Sequence, residues 1–294
     1  MFKNAMIDSH NHTRKYSMDG VQTLDQLVDD AIAIGLKGVV VTEHYDKDMV
    51  DGQVLQNISP FGGKPHPDEW VFDISAYFET MFAKQKDLQE RHVDFELLTG
   101  IELGYLPHLS DDLDQLVNSY PFDCVIASIH TLNNKDIYDD KDLSARPKEQ
   151  LYADYLEVML DMLNRQKQFD VLAHYDFIAR VADYTDNRFY YREFPDHFDE
   201  IFRSMIENDV SLELNTRSRY RSINGGDGDP GLPDSDLILR YLELGGEFIT
   251  VSSDSHDSGD VGRLIEETSA WLNHLGVSRL TTFKNRRPVF MPIK

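Results

Sequence analysis

The sequence has almost no cysteine, no long apolar run and few basic residues for its size. Its 294 residues include one cysteine, Cys124, which excludes an internal disulfide and any metal site built on several thiolates. Because Cys124 lies inside the apolar run FDCVIAS, we expect a buried structural thiol. No stretch of about 18 apolar residues is present, so no membrane-spanning helix is expected. The first residues, MFKNAMIDSHNH, lack the basic and apolar regions of a signal peptide, and we therefore expect a cytoplasmic protein.

Basic residues are outnumbered by acidic ones. The chain has 29 Lys and Arg against 52 Asp and Glu, which gives a formal net charge of −23. Because proteins that bind nucleic acid polymers neutralise phosphates with Lys and Arg, no such polymer is expected as a partner. A small anionic ligand remains compatible with this charge, since bound divalent cations can reverse the sign of the potential in a cleft. The composition gives no indication of oligomeric state.

Two common catalytic motifs are also missing. The chain contains no G-x-S-x-G elbow, which would expose a serine nucleophile, and no G-x-x-x-x-G-K-[ST] phosphate-binding loop. A serine triad and a P-loop nucleotide site therefore have no support. The chemistry must lie in other side chains.

Short apolar segments alternate with amphipathic segments about seven times along the chain, as is typical of parallel strands and crossover helices. In the first amphipathic segment, Thr23 and Gln26 have the spacing of a capping box, and Gly35 supplies a stop. The predicted strands cover residues 5–10, 37–44, 95–103, 123–130, 170–175, 210–215 and 247–255. The later predicted helices cover about 72–91, 110–118, 147–166, 194–208, 234–244 and 261–275.

The alternation predicts a parallel α/β sheet, either open or closed into a barrel. An open sheet gathers its functional residues at one switch point, whereas a barrel delivers the C-terminal end of every strand to one mouth. Because nearly every predicted strand ends in a histidine or a carboxylate, we predict a barrel. We expect a single domain over residues 1–294, with long irregular loops at about 51–70 and 217–236 that either shape a pocket or form surface insertions.

The residues at the strand ends indicate a metal site. His10 and His12 alternate in an extended segment, so both can present a nitrogen to the same cation. Such a pair alone is weak evidence, but six of the eleven histidines lie at strand ends. The strand-end candidates are Asp8, His10, His12, Glu43, His44, Glu102, His130, His174, Glu213, Asn215, Asp254 and His256. The other histidines, which we expect to be surface or packing residues, are His66, His92, His108, His197 and His274.

Histidine and carboxylate ligands without thiolates suit Zn, Mn or Fe. One catalytic zinc uses about three protein ligands, and this chain offers many more. Two or three divalent ions that share carboxylates would account for the excess. The alternative is an acidic, histidine-rich cleft that binds metal only incidentally.

These residues resemble the motifs of the PHP (polymerase and histidinol phosphatase) superfamily, which match in order from about residue 6 to residue 263. Within it, LAHYDFIAR, LELNTR and SSDSHDSGDVGR are most similar to the monofunctional histidinol-phosphate phosphatases. The matching segments are DSHNH (8–12), SMDG (17–20), TEH (42–44), GIE (100–102), SIH (128–130), AHYD (173–176), ELNT (213–216) and SDSH (253–256).

The resemblance implies a distorted (β/α)7 TIM-like barrel with a trinuclear metal site. It assigns the first ion to His10, His12, Glu102 and Asp254. The second ion shares Glu102 and adds His130 and His174, and the third is held by Asp19, His44 and His256. Asp8, Glu43 and Asp176 lie beside these ligands, so they either orient imidazoles or make ordinary loop hydrogen bonds.

The resemblance further implies phosphomonoester hydrolysis by a metal-bridging hydroxide, with no protein nucleophile. His44, Glu102, Asp254 and His256 are the expected catalytic residues, and which group protonates the leaving oxygen stays open. Each of the expected phosphate ligands, Arg180 and Arg217, follows a strand end, and a guanidinium can grip phosphate through two hydrogen bonds. Arg263 is a weaker third candidate.

Three functions are compatible with the sequence. The first is hydrolysis of L-histidinol phosphate in histidine biosynthesis. The second is a related phosphoesterase that acts on nucleotides or another small phosphate ester. The third is a catalytically silent barrel that binds metal for structure or for a partner protein, although the chain retains all nine expected ligand positions.

Overall fold

The computed structural model describes residues 6–61, 63–220 and 231–293. In these residues the strands are β1 (Ile7–Asp8), β2 (Gly38–Val50), β3 (Gln53–Val54), β4 (Glu69–Trp70), β5 (Glu96–Gly104), β6 (Cys124–Ser128), β7 (Thr131–Leu132), β8 (Lys135–Asp136), β9 (Val171–Leu172), β10 (Ser211–Asn215), β11 (Ile249–Ser252), β12 (Arg279–Lys284) and β13 (Arg287–Pro292). The helices are α1 (Leu24–Ala33), α2 (Ile74–Glu90), α3 (Ser110–Asn118), α4 (Lys148–Arg165), α5 (Phe177–Val181), α6 (Pro195–Glu207), α7 (Arg217–Tyr220), α8 (Ser235–Glu243) and α9 (Ile265–His274).

Seven strands form the predicted parallel barrel. They pair in the order β1, β2, β5, β6, β9, β10 and β11, which is also their order along the chain. The ring closes where the first strand continues beyond β1, since Asn11 bridges Ser255 in parallel and the amide of His12 donates to the Ser255 carbonyl at 2.8 Å. Each of the seven predicted strands is present, and the C-terminal ends of all seven meet at one mouth.

Local sequence explains the elements that line this barrel. Thr23 and Gln26 form the predicted capping box at the start of α1, and Gly35 follows its end with a φ of 84°. Strands β6 and β11 are buried throughout, as expected for strands covered on both faces. None of the described helices has the length and apolar character needed to span a membrane.

Asp8 stabilises the seam of the barrel, which is the place where the first and last strands of the ring meet. Its carboxylate accepts hydrogen bonds from the backbone amides of Ser253 at 2.9 Å and Gly262 at 3.0 Å. The carboxyl is completely buried, and this burial raises its pKa to about 6. Asp8 therefore connects the first strand of the ring to the segment that follows the last strand.

Strand β2 is longer than the sequence pattern indicates. The prediction ended this strand at His44, but pairing continues to Val50, where β3 and β4 add antiparallel strands. Strand β3 in turn pairs with β8, which forms a hairpin with β7. We refer to residues 45–54, 69–70 and 131–139 as the arm. The arm stands above the C-terminal ends of the barrel strands, on the side of β2 and β6.

Further differences concern short elements and the C-terminus. Residues 51–70 include two short strands, residues 217–220 form α7, and residues 221–230 of the other expected loop lie outside the described part.

The hairpin β12–β13 was not predicted. It packs Leu280, Phe283 and Met291 against the core, and Thr282 meets Ser9 with a hydroxyl distance of 2.9 Å, so the hairpin covers the barrel beside the seam.

Candidate metal centre

The nine expected ligand residues converge at the mouth of the barrel. Eight of them lie in or directly after a barrel strand, and Asp19 lies in the segment between His12 and α1. Seven are buried, the His44 side chain is 11% exposed and the Asp19 side chain is 40% exposed. Six of the seven barrel strands deliver ligands at their C-terminal ends, and so residues up to 246 positions apart in the chain become neighbours.

Glu102 occupies the centre of the cluster. Its carboxylate oxygens lie 2.8 Å from His174 Nε2, 2.8 Å from His44 Nδ1 and 3.2 Å from His130 Nε2. The imidazoles of His10 and His12 approach the same carboxylate at 3.2 and 3.4 Å. Burial by itself would raise the pKa of Glu102, but positive charge on the nearby histidines holds it well below its usual range.

A second group of donors lies nearer to the solvent. The Nε2 atoms of His44 and His256 face each other at 3.3 Å. The Asp19 carboxylate lies 2.9 Å from His256 Nε2 and 3.5 Å from His44 Nε2. His12 completes a set of three imidazole nitrogens that lie within 4.8 Å of one another.

The donor atoms fit a metal better than they fit one another. His10 Nε2, His12 Nε2 and Glu102 Oε2 are buried and make no hydrogen bond to any described residue. Leaving such atoms unsatisfied costs about 1–3 kcal/mol each, and a shared cation removes that cost. Five sets of three donors are close enough to hold an ion: His12, His44 and His256; His10, His12 and Glu102; His10, His174 and Asp254; His44, Asp46 and His130; and Glu102, His130 and His174.

Buried carboxylates orient the imidazoles from behind. Glu213 Oε1 lies 2.8 Å from His10 Nδ1, and its other oxygen accepts the backbone amide of His174 at 2.6 Å. Asp46 Oδ1 lies 2.6 Å from His130 Nδ1. Burial would lower the pKa of His130, but Asp46 and Glu102 raise it to about 10. Such partners fix the ring orientation and the basicity of a ligating histidine.

The sequence analysis missed the role of Asp46 because the predicted strand ended at His44. Residues 44 and 46 of one extended strand share a face, so a longer strand would have predicted that the two lie together. Glu213 was recognised as a strand-end residue but was not assigned to His10.

The three neighbouring acids do not orient imidazoles directly. Asp8 binds the barrel seam, as described above. Glu43 accepts from the hydroxyl of Ser17 at 2.6 Å and from the amide of Thr13 at 3.0 Å. Asp176 accepts from Ser218 at 2.8 Å. Among the described residues, these three carboxylates therefore bind hydroxyl groups and backbone amides of other segments and have no direct contact with an imidazole nitrogen.

Arg180 and Arg217 both reach the cluster through Asp254. Arg180 Nη1 donates to Asp254 Oδ2 at 2.9 Å, and Arg217 Nη1 donates to the Asp254 carbonyl at 3.0 Å. Arg180 is 2% exposed, and its Nη2 has no hydrogen-bond partner among the described residues. Arg263, the weaker candidate, instead pairs with Asp260 at 2.8 Å.

Asp254 has an unusual backbone conformation. Its φ of 53° lies in the left-handed region, which non-glycine residues rarely adopt and which stores strain at functional sites. The carboxylate meets Arg180 on one side and lies 3.3 Å from His12 Nε2 on the other. The neighbouring charges hold its pKa well below the usual range although burial acts in the opposite direction.

The cluster opens into a cavity of about 330 Å³. This volume falls at the low end of the range of about 300–1,000 Å³ for small-molecule sites. Arg180 and Arg217 line it together with six of the nine ligand candidates, and the arm and Phe177 contribute the remaining wall. The lining residues outside the nine candidates and the two arginines are Asp46, Met49, Trp70, Asp136, Tyr138, Asp139 and Phe177.

Comparisons with known proteins agree on one family. The chain is 29% identical to a probable histidinol-phosphatase from Clostridium acetobutylicum over 97% of this chain and 96% of that protein. It is 27% identical to a histidinol-phosphatase from Lactococcus lactis over 96% and 95% of the two chains. A crystal structure of histidinol phosphate phosphatase from Lactococcus lactis, complexed with zinc, L-histidinol and phosphate, superposes with a TM-score of 0.79. This alignment has 25% identity and covers 97% of this chain and 99% of the other.

The family model described as the PHP domain matches residues 8–217, which is more than two thirds of the chain. The matched range begins at the Asp8 of the first motif and includes seven of the nine expected ligands. The parallel barrel that the sequence predicts is found in the strand order, and the high TM-score shows that the solved relative shares this fold. The chain belongs to the PHP domain family.

Proposed function

We propose that this protein is a metal-dependent histidinol-phosphatase, which hydrolyses L-histidinol phosphate to L-histidinol and phosphate. The observation that carries the proposal is a single cavity that combines a buried histidine and carboxylate cluster with two arginines. The relatives support the same substrate. They are named histidinol-phosphatase or probable histidinol-phosphatase, and this chain aligns with them along nearly their whole length.

We assign the metal ligands as the resemblance to the PHP superfamily implies. One ion is held by His10, His12, Glu102 and Asp254, and a second shares Glu102 with His130 and His174. A third is held by Asp19, His44 and His256. The distances between donor atoms support these groupings. His10, His12 and Glu102 form one set of donors within 4.8 Å of one another, and Glu102, His130 and His174 form another. Asp254 lies 3.3 Å from His12 Nε2, and the Asp19 carboxylate lies 2.9 Å from His256 Nε2 and 3.5 Å from His44 Nε2. The donor set suits Zn, Mn or Fe, and the zinc in the solved relative favours Zn among them.

Divalent ions at these positions would supply positive charge for the phosphoryl oxygens and an attacking water of lowered pKa. The chain itself positions the phosphoryl group. Arg180 is locked by Asp254 and by Ser218, which accepts from its Nε at 2.9 Å, so its buried Nη2 is left to donate to a phosphoryl oxygen. Arg217 approaches from the next segment and adds a second positive charge at the same end of the cavity.

Aromatic side chains pack against the cluster. Trp70 stands edge-on to the His44 ring with centroids 5.9 Å apart, and Phe177 packs on His174 at 4.9 Å. Because most of the ligand candidates are buried, the arginines attract a phosphoryl group more strongly than they would in bulk water, since charges interact more strongly at low dielectric. The arrangement thus favours a phosphate monoester whose phosphoryl group lies beside Arg180 and Arg217.

Turnover of three phosphate esters tests the proposal. We expect kcat/KM for L-histidinol phosphate to exceed that for p-nitrophenyl phosphate and for a nucleoside 3′,5′-bisphosphate by about tenfold or more, with Zn, Mn or Fe added. Chelation should abolish all three activities. A preference for the bisphosphate would instead support a nucleotide phosphoesterase, and no turnover of any ester with any of the metals would contradict an enzymatic function.

A further inference from the structure

The wall of the cavity formed by the arm is chemically different from the wall that holds the arginines. It contains two acidic residues, Asp136 and Asp139, and the aromatic side chains of Trp70 and Tyr138. Neither carboxylate is a member of the donor sets that can hold a metal. The mechanism described above does not use either of them.

The chain fixes these two carboxylates through the arm. The amide of Asp136 donates to the carbonyl of Gly52 at 2.9 Å, and the amide of Asp139 donates to the carbonyl of Asp136 at 3.2 Å. Gly52 has a φ of 70°, and a Cβ at this position would lie 2.2 Å from Asp139 Oδ2. The turn 136–139 is thus packed against residue 52 in a way that only glycine permits.

Neither carboxylate is paired with a lysine or an arginine among the described residues. The nearby Lys135 pairs with Asp140 at 3.5 Å. Asp136 accepts the amide of Tyr138 at 2.8 Å. Burial raises the pKa of Asp136, as do Asp46 and Asp139, while a charged His130 acts in the opposite direction. This wall of the cavity therefore has two carboxylates that no lysine or arginine neutralises.

A second observation shows that the cavity is built for a ligand with separated charges. The Nη2 of Arg180 is buried, has no partner among the described residues, and belongs to a guanidinium that lines the same cavity. Phe177 lies between the two regions, with its ring 5.1 Å from the ring of Tyr138 and 5.4 Å from the Arg180 guanidinium carbon. One end of the cavity offers a cation for phosphate, and the other offers carboxylates and aromatic rings.

We propose that Asp136 and Asp139 bind the protonated amine of the leaving group and thereby make the enzyme selective for phosphate monoesters that carry a cation. This inference rests on the proposed function, since it assumes that the phosphoryl group lies at the arginines. Carboxylates attract an ammonium group directly, and the faces of Trp70 and Tyr138 add a cation–π contribution. The same carboxylates repel a leaving group that carries further phosphates, which disfavours nucleotides.

The test is a change in substrate preference. The double variant Asp136→Asn and Asp139→Asn keeps side-chain size and removes both charges. We expect the ratio of kcat/KM for L-histidinol phosphate to kcat/KM for p-nitrophenyl phosphate to fall about tenfold or more, mainly through KM for histidinol phosphate, because hydrogen bonds to charged groups are lost. A ratio within twofold of the wild type would overturn the proposal.

Asp142→Asn is the control for a charge change outside the cavity, since it removes one negative charge from a nearby exposed residue that does not line the cavity. It should leave both activities and their ratio unchanged. Thermal unfolding of each variant separates a folding defect from a change in preference.

A second pair of substrates keeps this test independent of the proposed function. If the wild type does not hydrolyse histidinol phosphate, the proposed function fails, and O-phosphoethanolamine is then compared with ethyl phosphate. The inference holds if the double variant lowers the preference for the amine-bearing ester, and it fails if the two esters respond equally.

Discussion

Glu213 shows how one side chain prepares two members of the cluster. Its carboxylate contacts the imidazole of His10 and accepts a hydrogen bond from the backbone amide of His174. The imidazoles of both histidines also lie beside Glu102. Burial would raise the pKa of Glu213, but His10 keeps it below its usual value. A charged Glu213 therefore holds His10 with Nε2 directed at the centre of the cluster.

We expect Glu213→Gln to lower metal affinity by about 10–100-fold, because the amide cannot support His10 as a carboxylate does. Metal titration monitored by calorimetry measures this directly. Glu207→Gln, at an exposed position in α6, serves as the control for the loss of one negative charge. Equal affinities of the Glu213 variant and the wild type would remove Glu213 from its positioning role.

Cys124 gives a contrasting case at the same scale. The thiol is completely buried in β6, and burial raises its pKa well above the ordinary value. The expectation of an inert structural thiol, drawn from its apolar neighbours, is confirmed as to burial. A single residue in a strongly apolar segment can thus be placed without knowledge of the fold.

At the scale of elements, the arm depends on a buried ion-pair network. Lys47 Nζ donates to Asp48 at 2.6 Å and to Glu69 at 2.8 Å, and all three side chains are at most 2% exposed. Asp48 also accepts from His108 at 2.9 Å. The network ties the long strand β2 to β4 and so holds Trp70 at the cavity.

Replacing Lys47 by Met should loosen the arm, because removing one partner of a buried pair costs about 3–5 kcal/mol when the other charge stays behind. We expect faster hydrogen exchange in residues 45–59 and a higher KM, with the barrel strands unaffected. Lys64→Met, an exposed position in the same connection, is the control. Unchanged exchange in the arm would contradict this role of Lys47.

The same network should weaken in acid. Burial acts to raise the pKa of Asp48 and Glu69, but their bonds to Lys47 and other donors lower it below the ordinary values of 3.8 and 4.5. A lowered folded-state pKa means that the stabilisation is present above those ordinary values and is lost as the pH falls below them. Hydrogen exchange in the arm of the wild type should therefore approach that of the Lys47 variant in acid.

At the scale of the whole molecule, the net charge is −23, and the cluster at the barrel mouth contains buried carboxylates that need cations as partners. Metal binds the assembled barrel, because the ligands come from segments that are far apart in the unfolded chain. Binding to the folded state alone adds stability that grows with metal concentration.

Metal removal should therefore lower the melting temperature. A site held at 100 times its dissociation constant contributes about 2.7 kcal/mol, which corresponds to a shift of roughly 4–5 °C for a chain of this size. Calorimetric scans with and without chelator measure the shift, and re-addition of Zn or Mn should restore it. A melting temperature that does not respond to chelator would contradict the assignment of these residues as metal ligands.

The C-terminal hairpin shows what local patterns fail to reveal. Asn285 and Arg286 both have positive φ, 50° and 59°, as in the tight turns that match the twist of a hairpin. The usual signal for such a turn is Asn-Gly, and Arg286 stands in place of the glycine. The position of the hairpin beside the seam depends on contacts such as Ser9 with Thr282, which are 273 residues apart.

The sequence by itself determined the alternation of strands and helices, the barrel, and the set of residues brought to its mouth. These follow from periodicity within about twenty residues, and parallel strands necessarily place their C-terminal ends together. Only the tertiary structure decided that Asp46 supports His130 across 84 residues, that Glu213 supports His10 across 203, and that the arm places Asp136 and Asp139 in the cavity. Such pairings depend on how separate elements pack, and no local pattern records which buried carboxylate will meet which imidazole.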